Sequence, residues 1–252
     1  MKAEDFVKQT EENRMPFQSD PIIGFLNEIY RRIQRGAGLV IPPVDQFADY
    51  YLSTEKDPRK AAEKMIARQC TRSTVSGFVT GFGGFMAMPF ALPAHITNLL
   101  AVQMKMVAAT AYMAGYDITS EQVRTLVYAC LAGVSVAGTL KKAGIQSGVK
   151  ADKELVKKID DKTIDEINQK VGFRLITQFR EKGAVHIRKM MPFVGAFIGG
   201  GFDLAETSAV GRRAVKMFFD GDFSTGTEVT VPEEETAETV KQEAIEVEGS
   251  VE

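Results

Sequence analysis

The sequence predicts an all-α fold, a single compact helical domain with glycine-rich helical hairpins at its centre. Apolar residues recur at helical spacing along most of the chain, which gathers them on one face of each helix. Alternating apolar and polar patterns, the mark of half-buried strands, are scarce. Two long stretches carry no Asp, Glu, Lys or Arg: 32 residues from Ser73 to Met104 and 16 residues from Thr125 to Leu140. The domain is expected over residues 21–219, between a polar N-terminus (1–20) and an acidic tail (220–252), both expected to be disordered.

The first helix follows from Ile22, Phe25, Leu26, Ile29 and Ile33, with Arg31, Arg32 and Arg35 toward the end where cations suit the helix dipole. Gly36 and Gly38 stop it, and Pro42-Pro43 marks a connector. Asp57 and Pro58 stand in the order of an N-cap and a first helical residue, so a second helix starts there. Its apolar face is Ala61, Ala62, Met65 and Ile66, and it runs toward Cys70. A glycine-rich stretch then reaches Pro93. From Ala94 to near Gly115 the pattern is a helix apolar almost all round, which belongs in a protein core or a membrane. Thr119 and Gln122, at capping-box spacing, open the next helix, and Gly144 and Gly148 break the chain after it. Beyond the charged segment ADKELVKKIDDK (151–162), Ile164, Ile167, Val171, Leu175 and Phe179 share one stripe. An apolar run over 190–202 holds Pro192, Gly195, Gly199, Gly200 and Gly201, and a final helix is expected from Asp203 to about Phe219.

Cys70 and Cys130 are the two cysteines, both in apolar or helical contexts and far apart, which argues for a reducing compartment rather than a disulfide framework. The opening MKAEDFVKQTEENRM has neither a basic nor an apolar region of the secretory kind, so a cytoplasmic location is expected. The net charge of −2 is unevenly spread. From Met217 to Glu252 eleven acids face one lysine, which leaves 22 acids and 30 bases, a balance of +8, on residues 1–216. Such a body can be an ordinary solvated surface or can face anionic lipid. No nucleic acid is expected as a partner. The acidic tail is either a shield for the basic body or a solubilising end.

Gly77, Gly81 and Gly84 lie in GFVTGFGGF, and Gly195 and Gly199 in GAFIGGGFD; the two runs align as a short internal repeat. Spacing of the small-xxx-small kind lets backbones approach closely. Glycine inside a helix is destabilising by about 0.5–1 kcal/mol relative to alanine, so these positions need a compensating reason. Core packing, an interfacial or re-entrant segment and a membrane span are the three open readings. The span is disfavoured by Pro89 and Pro93, and no phosphate-loop or dinucleotide fingerprint is completed.

Catalytic signals are sparse. GVSVAG at Gly133 is not a nucleophile elbow, because position 137 is alanine. His95 and His186 are the two histidines, and no metal is expected from them or the cysteines, nor any cofactor. Asp203 reads either as a helix N-cap, with Glu206 at capping-box distance, or as an acid beside a close-packed glycine turn. Together with His95 and Lys105 it makes the set of candidate catalytic residues. Asn98, Gln103 and Lys105 are polar positions on the apolar helix, and buried polar groups need partners, so with Asp117 and Arg174 they are candidate pocket-lining residues.

The run VTGFGGF…MPFALPAHITNLLAVQMKMVAATAYMAGYDITSEQVRTLVYACLAG, with INQKVGFRLITQF from Ile167 and KMMPFVGAFIGGGFD from Lys189, resembles the EcsC family of bacterial proteins over about residues 60–219. The resemblance implies a transporter-linked protein without a defined activity; some members are labelled as hydrolases without a recognised catalytic motif. Many members carry an acid before the Leu-Pro pair that follows the first glycine run. Ala91 stands there in this chain, which leaves Asp203 as the acid beside a glycine run. The expected function is non-enzymatic association with the cytoplasmic membrane face, through anionic lipid or a membrane protein. The glycine-rich hairpins and the first amphipathic helix would supply apolar contact, and the basic body electrostatic contact. The alternative is a lipid- or small-molecule-handling hydrolase with its pocket between the glycine-rich turns.

Overall fold

The computed structural model describes residues 21–36, 42–73, 94–145, 153–188 and 195–231. Over these residues the chain forms α1 (Pro21–Arg35), α2 (Val44–Thr54), α3 (Pro58–Ser73), α4 (Ala94–Met113), α5 (Glu121–Ala132), α6 (Ala137–Lys142), α7 (Lys153–Val156), α8 (Asp161–Arg188) and α9 (Gly195–Phe219). No strand occurs among the described residues; a single parallel bridge joins Val134 and Thr227. The fold is all-α, as the periodicity requires.

Helix α4 is the axis of the packing. It meets α1, α2, α3, α5 and α9, and every residue from Met106 to Ala111 is fully buried. A helix surrounded on all sides has no polar face to show, which is why its sequence is uncharged until Lys105. Ala108, Ala109 and Ala111 keep it thin, so that five neighbours can close on it. Among the described residues no helix is long and apolar enough to cross a membrane.

The stripe of α1 is spent on this core: Ile23, Leu26, Ile29 and Ile33 are each no more than 2% exposed. This corrects the expectation that the first helix offers its apolar face to a membrane, since the same residues cannot do both. Tyr30 Oη and Gln34 Nε2 donate to the Ile118 carbonyl at 2.8 Å, and the Tyr128 hydroxyl donates to Asn27 Oδ1 at 2.9 Å. These bonds fix α1 to the α4–α5 connection. Burial pushes both tyrosine hydroxyls well above their ordinary pKa.

Helix α2 was not anticipated. Its stripe is short (Val44, Ala48 and Tyr51), and it lay hidden behind the two prolines that lead into it. At α3 the expected Asp57 cap is present, its Oδ1 accepting from the amides of Arg59 and Lys60. The cap of α5 is Ser120, one residue later than expected; its hydroxyl accepts from Val123 N, while Thr119 bonds Asp117.

Two further boundaries differ from expectation. The uncharged stretch over 125–140 is two helices, α5 and α6, because Gly133 ends α5 in the left-handed region (φ 68°), where a side chain is strained. The last helix starts at Gly195, eight residues before Asp203, so Asp203 lies inside α9 and is not its N-cap.

Beyond α9 the described residues continue to Val231, past the expected end of the domain at 219. Residues 220–231 form a strap that returns to the α5–α6 junction. The Phe223 carbonyl accepts from Val136 N and Ala137 N, both at 3.1 Å, and so caps α6, which has no side-chain cap of its own. Thr227 N donates to the Gly133 carbonyl at 2.8 Å, Ser135 N donates to the Thr227 carbonyl at 3.0 Å, and the Phe223 side chain is buried. The strap went unread because its apolar anchor is one phenylalanine without periodicity.

Candidate functional site

Of the polar residues singled out on α4, two are buried and partnered. Gln103 donates from Nε2 to Thr207 Oγ1 at 3.2 Å, tying α4 to α9. Lys105 donates from Nζ to the Pro42 carbonyl at 2.6 Å and lies 4.6 Å from the centre of the Phe47 ring. Burial lowers its pKa to about 8, and no carboxylate is within ion-pair distance among the described residues. Asn98 is half-buried nearer the start of α4. Asp117 sits in the turn before α5, where Thr119 bonds to it through hydroxyl and amide and holds its carboxyl below the usual range. Arg174 is on α8, and its buried Nε has no hydrogen-bond partner among the described residues.

The structure thus places these residues on separate elements. Lys105 faces α2 and its connector, Gln103 faces α9, Asp117 is in a loop and Arg174 is on α8. His95 is in the first turn of α4, and Asp203, Gly195 and Gly199 are in α9; their side-chain surroundings, with Gly77, Gly81 and Gly84, lie outside the described residues. No group of three or more metal-ligating side chains occurs among the described residues. Cys70 and Cys130 are buried thiols, and burial pushes the Cys130 thiol up to about 12.

A different site emerges at the end of α9. Arg212, Arg213 and Lys216 follow one another around the helix over a little more than one turn. The strap crosses beside them, and together they line a solvent-open cavity of about 320 Å³ with Ala209, Thr225 and Gly226. Arg213 is held by its Nε, which donates to the Cys130 carbonyl at 3.0 Å at the C-terminal end of α5, where the helix dipole favours a cation. Arg212 Nη1 donates to Ser208 Oγ at 2.6 Å, and Lys216 is exposed. None of the three is within ion-pair distance of a carboxylate among the described residues. The opposite wall is fixed by Gly226, whose φ is +126°. Any side chain there would strike the Gly133 carbonyl and the Ser135 amide, so the strap sits this close only with glycine at this position.

Sequence reasoning registered the basic balance of the body but did not localise it. The signal was GRRAVK at Gly211, three cations near the end of a helix whose one acid at helical spacing, Asp220 at i+4 from Lys216, is turned to Arg59 instead.

The fold and the cavity define an all-helical protein with a basic surface cleft and, among the described residues, no membrane-crossing helix. Residues 33–219 match the model of the EcsC protein family, and the chain belongs to that family. No curated protein and no solved structure matches the chain.

Proposed function

We propose that this EcsC family protein associates peripherally with the anionic face of a membrane, with the basic end of α9 as its docking surface. The single observation that carries this reading is the trio Arg212, Arg213 and Lys216, unpaired with any described carboxylate and gathered on a solvent-open cavity. Cations that are already paired within a protein gain little from an anionic surface, whereas unpaired ones gain about 1 kcal/mol each. Three such contacts amount to about two orders of magnitude in partitioning. The basic balance of residues 1–216 acts in the same direction at longer range. The glycine-rich segments around Gly77 and Gly195 would add apolar contact after docking.

Flotation of the full chain with vesicles tests this. The chain should float with vesicles containing about one third anionic lipid and not with neutral ones, and high salt should release it. Arg212→Gln combined with Lys216→Gln removes two exposed cations and spares Arg213, which holds the α5 terminus. This variant should partition about thirtyfold less. Flotation unaffected by the double substitution, or absent on anionic vesicles, would overturn the reading.

A further inference from the structure

The shape and charge of the α9–strap cavity carry more than attraction to a negative surface. We infer that it is a binding site for a phosphomonoester group, the doubly charged terminal phosphate of a small headgroup. This inference rests on the same cavity as the membrane reading and specifies what enters it.

Charge balance gives the first reason. A phosphomonoester carries close to two negative charges at neutral pH, while a phosphodiester carries one. Three cations outside any ion pair among the described residues leave a smaller excess opposite the dianion than opposite the monoanion. The kind of cation gives the second. Two of the three are guanidinium groups, whose planar forks pair with phosphate oxygens two at a time. Arg213 is oriented beforehand by the bond from its Nε to the Cys130 carbonyl, with its guanidinium lying beside Gly133. Lys216 adds a mobile point charge from the next turn of the same helix. The third reason is the wall opposite. The Thr225 hydroxyl is spent on the Asp222 carbonyl at 3.3 Å, and Gly226 brings bare backbone locked in place against Gly133, so this side limits the size of a ligand while the cations on α9 supply the charge. Finally, the volume of about 320 Å³ exceeds what a bare phosphate fills and falls at the small end of ligand sites, which suits a phosphate carried on a glycerol-sized group.

A lipid headgroup and a soluble phosphate ester share this chemistry, and two arms of one experiment separate them. In the first, the full chain is titrated calorimetrically with glycerol 3-phosphate and with glycerophosphocholine. In the second, it is floated with phosphatidic acid vesicles and with phosphatidylglycerol vesicles adjusted to equal surface potential. The inference expects saturable binding of glycerol 3-phosphate at one site, little binding of the diester, and about tenfold preference for phosphatidic acid. Arg212→Gln and Lys216→Gln should each weaken the titration about tenfold without changing the melting temperature, since both side chains are exposed. Binding of the soluble ester with no flotation on either vesicle keeps the phosphomonoester site and removes the membrane reading. Equal flotation on both vesicles with no binding of the ester overturns the site and keeps the membrane reading. Binding in neither arm removes both.

Discussion

An ammonium group taken out of water loses hydration, and at Lys105 that loss is met by one carbonyl and one aromatic face instead of an acid. Its pKa in the folded chain is about 8, below the ordinary lysine value, so between pH 8 and about 10 the unfolded chain binds more protons than the folded one. Stability therefore rises with pH through that window, and the penalty is fully present below pH 8. Cys130, Tyr30 and Tyr128 have the opposite sign, because burial raises their pKa values and makes their ionisation favour the unfolded chain at high pH. Comparing the parent with Lys105→Met cancels these common contributions. Urea midpoints measured from pH 7 to 10 should show the parent gaining stability relative to the variant as pH rises. A constant difference would mean that Lys105 is charged to the same extent in both states. Sequence alone marked Lys105 and Gln103 as polar intruders on an apolar helix, open to a pocket or a surface placement; the structure buries both against protein partners. It could not supply those partners, because Pro42, 63 residues away, and Thr207, 104 residues away, are brought near only by the packing of α2 and α9.

At the level of elements, close helix contact through glycine is found at a position the sequence did not single out. On α9, a methyl group at Gly211 would overlap the Ile66 side chain of α3, and that residue's branched Cβ leaves it little freedom to turn aside. Gly211→Ala gains helix propensity of about 1 kcal/mol but forces this overlap, which costs about 1–3 kcal/mol. The single variant should unfold at lower urea than the parent. In an Ile66→Ala background the same substitution should become stabilising, since only the propensity gain is left. An identical effect in both backgrounds would show that the α3–α9 contact does not depend on glycine. The long periodic helices were legible because their stripes span several turns, as in α1 and α8, where Ile29, Ile33, Ile167 and Val171 are buried as patterned. Helix α2 and the break at Gly133 were not. An 11-residue helix shows three buried positions, and one glycine within an uncharged run looks the same whether it packs or turns.

For the whole molecule, the separation of charge along the chain acquires a location. The basic balance read from residues 1–216 includes a defined cluster on α9, and the other half of the cluster's cavity comes from the strap, which sequence had assigned to a structureless end. A site built from two segments, one helical and one without periodicity, leaves no local pattern to detect; only the folded return of the strap onto Gly133 creates it. That return also couples occupancy to backbone opening. A ligand gripped between α9 and the strap cannot stay bound while the strap peels away, so binding must lower the population of the open form. Deuterium uptake reads this directly: the amides of Thr227 and Ser135, which bond across the junction, should exchange more slowly with glycerol 3-phosphate present, while those of α1, remote in sequence and not part of the cavity wall, keep their rates. The stretch after α9 would then serve as a latch whose hydrogen exchange keeps a record of what the cleft holds.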